Sequence, residues 1–155
     1  ASYASRAAEK LRSQHSAFAH IMIWIETNRF KPDEPQYSNA ISCALPEPTS
    51  FTPLLVRYAL YLLKKIYKKG YRYKKAGVAL MNLSPAAQKQ LNLFVAFDHE
   101  RQDRLMTAMD KINLSWGSET IRSGASGYKR PWRMKRANLS NRFTTSWGDI
   151  ITVKA

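Results

Sequence analysis

Along this chain the spacing of apolar and polar positions changes period several times, and each change marks an element. Ser2 to Gln14 carries Tyr3, Ala7, Ala8 and Leu11 at helical spacing without a breaker, which predicts a helix. Phe18 to Thr27 then switches to period two: Ile21, Ile23 and Ile25 fall on one face, and His20, Met22, Trp24 and Glu26 on the other. That is the pattern of a half-buried strand. Pro32 to Pro35 reads as a loop, and a second strand is predicted around Asn39 to Leu45, where Ile41, Cys43 and Leu45 alternate with Ala40, Ser42 and Ala44. The helical period then returns. Thr52 reads as an N-cap, Pro53 suits the first helical position, and Gly70 stands where the helix should end. Leu55, Ala59, Leu62 and Ile66 line one face of this helix, with Arg57, Lys64 and Lys68 nearly opposite. A third strand, Tyr71 to Asn82, places Ala76, Val78 and Leu80 on one side and Lys75, Gly77, Ala79 and Met81 on the other.

The order α-β-β-α-β predicts an α+β fold with both helices on one face of a sheet. It matches a βαββαβ unit without its first strand, and the abrupt start points to that strand lying in a larger upstream region. Pro85 to Phe94 reads as a linker ending in a short apolar patch. Asp98 to Asn113 predicts a further amphipathic helix, with Leu105, Met109 and Ile112 on one face and Gly117 just beyond its end. The tail after it is rich in Ser, Thr, Asn, Arg and Trp, and is expected to be irregular or to form short strands ordered by Trp116, Trp132 and Trp147. The chain thus divides into a domain at 1–84, a linker at 85–97 and a tail domain at 98–155.

Charge changes the picture most. Twenty-five Lys and Arg against eleven Asp and Glu give +14, enough to attract polyanions at long range. A basic but otherwise ordinary soluble surface is the alternative, and the clustering argues against it. Between Glu47 and Asp98 there is no acid, while Arg57, Lys64, Lys65, Lys68, Lys69, Arg72, Lys74, Lys75 and Lys89 all fall there. A second acid-free stretch, between Glu119 and Asp149, holds Arg122, Lys129, Arg130, Arg133, Lys135, Arg136 and Arg142. Such clusters point to nucleic acid. No run approaches the roughly 18 apolar residues of a membrane helix, and the N-terminus has no signal-peptide zones. The single cysteine, Cys43, excludes an internal disulfide and a multi-cysteine zinc site, and its alternation with apolar residues reads as a buried, inert thiol. A reduced, cytoplasmic protein is expected.

Catalytic signals are weak. The three histidines, His15, His20 and His99, lack metal-ligand spacing; His20 reads as structural or DNA-facing. No carboxylate pair suggests a two-metal site, and no Gly-rich phosphate loop is present. No catalysis and no cofactor are expected of this chain itself. The binding signals are better. Arg72, Lys74 and Lys75 precede Gly77 at the start of a strand, where lysines can neutralise phosphates and a glycine admits a close backbone. Ala40, Ser42 and Ala44 are small enough to admit a phosphodiester chain as well. Such contacts position a duplex without reading its sequence. Gln90-Leu91-Asn92-Leu93-Phe94 can dock in extended form, Leu93 and Phe94 filling an apolar pocket and Gln90 bonding at its rim; packing on its own domain is the plainer alternative.

Taken together these residues resemble the C-terminal part of UmuC-type, Y-family translesion DNA polymerases. The resemblance rests on Tyr3-Ala4-Ser5-Arg6-Ala7-Ala8-Glu9-Lys10-Leu11-Arg12, on Gly70-Tyr71-Arg72-Tyr73-Lys74-Lys75-Ala76-Gly77-Val78, and on two tail segments, Trp132-Arg133-Met134-Lys135-Arg136 and Leu139-Ser140-Asn141-Arg142-Phe143-Thr144-Thr145. It implies a little-finger domain that holds template-primer DNA, with Lys74 and Lys75 on the phosphate backbone. It implies that Gln90, Leu91, Leu93 and Phe94 contact the β sliding clamp, and that the tail partners UmuD and RecA. Asn141 stands where the family usually has proline and Phe143 where it often has tyrosine. The palm and fingers, with the carboxylates that hold catalytic Mg in such enzymes, have no counterpart here, so polymerase activity would belong to a full-length parent. A truncated interaction protein that binds the clamp, RecA or UmuD on its own is the second reading, and an independent nucleic-acid enzyme a distant third.

Overall fold

In the computed structural model of the chain, residues 1–88, 98–129, 140–151 and 153 are described. The sheet order is β2-β1-β3, with β1 (Ser16–Thr27) central and antiparallel to both β2 (Ser38–Thr49) and β3 (Tyr73–Pro85). Helices α1 (Ser2–Ser13) and α2 (Thr52–Ile66) pack on one face, so the α+β arrangement expected from the period changes is the one observed. Alternation along β1 fixes which face is covered. Ile21, Ile23 and Ile25 are buried beneath the helices, and His20, Met22, Trp24 and Glu26 stand on the other side. Leu55, Val56, Ala59, Leu62 and Ile66 of α2 close the core with Ala4, Ala8 and Leu11 of α1, and with Phe18 of β1. Each large apolar side chain buried here contributes up to about 1.5–3 kcal/mol.

Several boundaries and faces differ from expectation. The stripe of α1 is phased from Ala4, not Tyr3: positions 4, 8 and 11 turn inward and Tyr3 is exposed. Thr52 is the first helical residue and Phe51 the N-cap, because the Thr52 hydroxyl accepts instead from Arg12 Nη1 at 2.7 Å. Helix α2 stops at Ile66, four residues before Gly70. The Tyr37 hydroxyl donates to the Ile66 carbonyl at 2.8 Å, satisfying one orphan acceptor, and Tyr67 is extended. Gly70, at φ +97°, serves the turn into β3. Cys43 lies half-buried at the rim of the core.

Regular β1–β2 pairing ends at His20↔Ala44 and resumes only at Phe18↔Thr49, so 45–48 bulges out of register. Pro46 and Pro48 lie in that stretch and lack ladder donors, which an edge strand tolerates. β3 runs past the predicted Asn82 to Pro85, which pairs with Ser16, and the Ala86 N–H donates to the His15 carbonyl at 2.8 Å. Residue 85 therefore belongs to the sheet.

α3 (His99–Trp116) starts at Asp98, whose carboxylate accepts from the Arg101 N–H at 2.9 Å. Its inner face is rotated from the predicted one: Met106 is 2% exposed and Leu105 47%. Polar anchors set that rotation. Arg12 grips the Asp110 carboxylate with Nε at 2.6 Å and Nη2 at 2.7 Å, and its Nη1 also donates to the Ser50 carbonyl. His99 meets Glu47 at 3.1 Å and Arg6 donates to Ser118. Trp116 and Trp147 are exposed and do not order the tail as expected; Trp132 lies outside the described residues. The described tail beyond α3 contains short 3₁₀ turns at Gly124–Ser126 and Trp147–Asp149. Among the described residues no helix is long and apolar enough to cross a membrane.

Candidate nucleic-acid interface

The helix-free face of the sheet is built in cross-strand rows. Ala44, His20 and Met81 form one; Ser42, Met22 and Ala79 the next; then Ala40, Trp24 and Gly77; then Ser38, Glu26 and Lys75. Small residues on the outer strands leave β1 standing proud between them. Gly77 has a specific steric reason: a Cβ there would overlap the Trp24 indole at Cζ2. The indole thus occupies the space above the glycine that sequence reasoning reserved for an incoming backbone.

Cations gather at the end of this face where β1 and α2 end and β3 begins. Lys75 Nζ lies 2.9 Å from Glu26 Oε1, and Arg29 lies 3.2 Å from Glu26 Oε2. Lys31 and Arg72 both reach Glu34 Oε1, at 3.1 and 3.2 Å. Each carboxylate is shared between two cations and so neutralises only one. Hydrogen bonds from Lys75 and from Lys31 hold the Glu26 and Glu34 carboxyls below the usual carboxylate range, so both stay ionised near neutrality. Lys68 and Lys69 extend the cluster, the Lys68 ammonium sitting 4.9 Å from the Tyr37 ring centroid.

An aromatic cluster stiffens this end. Tyr37 lies 5.0 Å from Tyr71 and 6.2 Å from Tyr73, and Tyr67 lies 5.4 Å from Tyr73, centroid to centroid. The Tyr73 hydroxyl accepts from the Lys68 N–H and donates to the Lys68 carbonyl, both at 2.9 Å. The chain around Lys68 and Arg72 is therefore held in place rather than loosely tethered.

The structure thus brings Arg72, Lys75 and Gly77 to one end of the open face. Lys74 is exposed and falls where the β1–β3 register shifts, between the Glu26↔Lys75 and Thr27↔Tyr73 pairs. His20 lies half-buried on the open face. Gln90, Leu91, Leu93 and Phe94 lie outside the described residues. Sequence reasoning missed Glu26, Glu34 and the tyrosines; the run Tyr67-Lys68-Lys69-Gly70-Tyr71-Arg72-Tyr73, aromatic and cation interleaved, was the available signal. Among the described residues no group of three or more His, Cys, Asp or Glu is placed to hold a metal ion.

Comparison with known proteins supplies the relationship. Residues 1–93 match the model described as "impB/mucB/samB family C-terminal domain", and residues 103–153 match a domain of unknown function, DUF4113. The chain is 37% identical over 154 residues to Protein UmuC of Salmonella typhimurium LT2, covering 99% of this chain and 36% of that protein. It is 39% identical over 153 residues to Protein SamB and 36% over 149 residues to Protein ImpB, both of Salmonella typhimurium. These alignments cover 98% and 96% of this chain, and 36% and 35% of the two relatives. The chain therefore spans about a third of the length of the curated relatives it matches. By its match over 1–93 and its likeness to UmuC along nearly its whole length, the chain belongs to the impB/mucB/samB family as a UmuC-type C-terminal segment.

Proposed function

We propose that this chain is the DNA-holding and clamp-tethering C-terminal region of an error-prone translesion DNA polymerase that acts in the cytoplasm during SOS damage tolerance. The observation that carries this reading is the cationic end of the open sheet face, in a chain of this family. Arg72, Lys74 and Lys75 contact phosphates, and the small side chains of β2 let a duplex approach. Such contacts hold DNA of any sequence. Residues 1–85 act as the little finger, 86–97 as the linker carrying the clamp motif, and 98–155 as the tail that meets UmuD and RecA. Nucleotidyl transfer, with its Mg ions, belongs to the part of the family's length that this chain does not span.

Two measurements test the reading. Duplex binding by the whole chain is expected to weaken with rising salt, and Lys74→Ala with Lys75→Ala to flatten the log–log salt slope by roughly two units. An unchanged slope would remove both lysines from the phosphate interface. Binding to purified β sliding clamp is expected near micromolar, about −8 kcal/mol, and to be lost in Leu93→Ala/Phe94→Ala. Equal binding by wild type and double mutant would reduce the pentapeptide to local packing. A weak clamp contact suffices for the role, because tethering raises the local concentration at the primer end.

A further inference from the structure

The loop between β1 and β2 presents an aromatic ring that the phosphate contacts above do not use. Phe30 is 91% exposed, flanked in sequence by Arg29 and Lys31. An isolated exposed apolar residue is ordinary on protein surfaces. This one is unusual in how firmly its backbone is held. Asn28 closes a turn around it, accepting from the Phe30 N–H through its side chain at 3.2 Å and from the Lys31 N–H through its carbonyl at 3.1 Å. The two N–H groups of the Gln36 amide are then shared among three loop carbonyls, Asn28 at 3.2 Å, Lys31 at 2.8 Å and Glu34 at 3.0 Å. Gln36 is itself oriented by the Thr27 hydroxyl, which donates to its Oε1 at 2.7 Å. The Lys31–Glu34–Arg72 contacts tie the far side of the loop to the start of β3. A pre-ordered turn therefore displays an aromatic face in solvent, beside an open cleft of about 450 Å³ between Arg29, Gln36 and Tyr37.

Charge selects the occupant. Four cations, Arg29, Lys31, Arg72 and Lys75, stand against three acids, Glu26, Asp33 and Glu34, so the loop and its foot stay net positive, and Lys68, Lys69 and Lys74 add to that field. A polyanion that also carries flat π faces fits ring and cations together, and unpaired nucleic-acid bases have that chemistry. We propose that the Arg29-Phe30-Lys31 turn is a stacking site for an unpaired base of single-stranded DNA, with Arg29 and Lys31 on the flanking phosphates. This rests on the DNA-binding reading and adds to it a contact to base faces, indifferent to base identity. The ring does not read hydrogen-bonding edges, so every base is an acceptable partner.

The test is equilibrium binding of the whole chain to a labelled oligothymidylate and to an abasic strand of equal length, which carries the same phosphates without bases. Phe30→Ala is expected to weaken oligothymidylate binding by on the order of tenfold and to leave abasic binding unchanged. Phe30→Trp is expected to restore it. Thermal midpoints should match throughout, since Phe30 contributes no core contact. Full affinity of Phe30→Ala for oligothymidylate, or equal losses on both strands, overturns the stacking site; a ring that instead fills a pocket on a partner protein gives the first of these results. Failure of the wild type to bind any strand or duplex overturns the DNA reading, and stacking with it.

Discussion

Phe18→Ala is expected to destabilise the domain by about 3–5 kcal/mol and to lower its melting midpoint by more than 10 °C. Phe18 is fully buried and is among the largest side chains so enclosed. It sits on the central strand, paired with Thr49 on one side and Leu83 on the other, where the β1–β2 register breaks. Truncation removes the transfer energy of the ring and leaves a cavity, and the flanking backbone is pinned by both neighbours, which limits collapse into the void. Against a typical total stability of 5–15 kcal/mol for a domain, that loss is a large fraction. Thermal denaturation of the variant checks it. A midpoint within a few degrees of wild type would mean that the bulge relaxes inward to fill the space.

The second large effect is expected at Arg12. One guanidinium joins α1 to three other elements: Asp110 on α3, Thr52 at the start of α2, and the Ser50 carbonyl after β2. Hydrogen bonds to charged groups contribute about 1.5–3 kcal/mol each when shielded. Asp110 keeps a third of its side chain in solvent, so about 2–3 kcal/mol in all is the expected loss in Arg12→Ala. Arg12→Lys should recover little, because a single ammonium cannot reproduce the fork that meets both carboxylate oxygens. The signature is local. Amide exchange in α3 should accelerate more than exchange in β1, since the anchor secures α3 while the sheet keeps its own core. Uniform acceleration across both elements would place Arg12 in the global core instead.

The fold was legible in the sequence to the extent that short-range periodicity dictates it. The Ile21, Ile23 and Ile25 alternation and the Leu55, Ala59, Leu62 and Ile66 stripe both fall where expected, because a strand or helix with one apolar face has one stable way to bury it. Long-range polar contacts were not legible. Thr52 looks like a cap until Arg12, 40 residues earlier, takes its hydroxyl. Leu105 looks like a core residue until Asp110 turns α3 toward α1 and leaves Met106 inside. The site shows the same division. Arg72, Lys74 and Lys75 could be singled out from composition, but the sharing of Glu26 and Glu34 between cations arises only when the loop after β1 meets the start of β3. Gly77 was singled out for the right property, a missing Cβ, with the neighbour misjudged: the close approach comes from Trp24 across the strand pair.

The strand order β2-β1-β3 has a consequence for how this chain behaves with its own copies. An edge strand exposes unpaired backbone donors and acceptors, a template for a further strand. On β2 the prolines and the bulge blunt that edge. On β3 the stretch from Ala76 to Leu83 contains neither a proline nor a charged side chain, and its cations lie only at the first residues of the strand. Among the described residues β3 is the unguarded edge from which edge-to-edge aggregation starts, and a single lysine at an outward-facing position there is the natural guard against it.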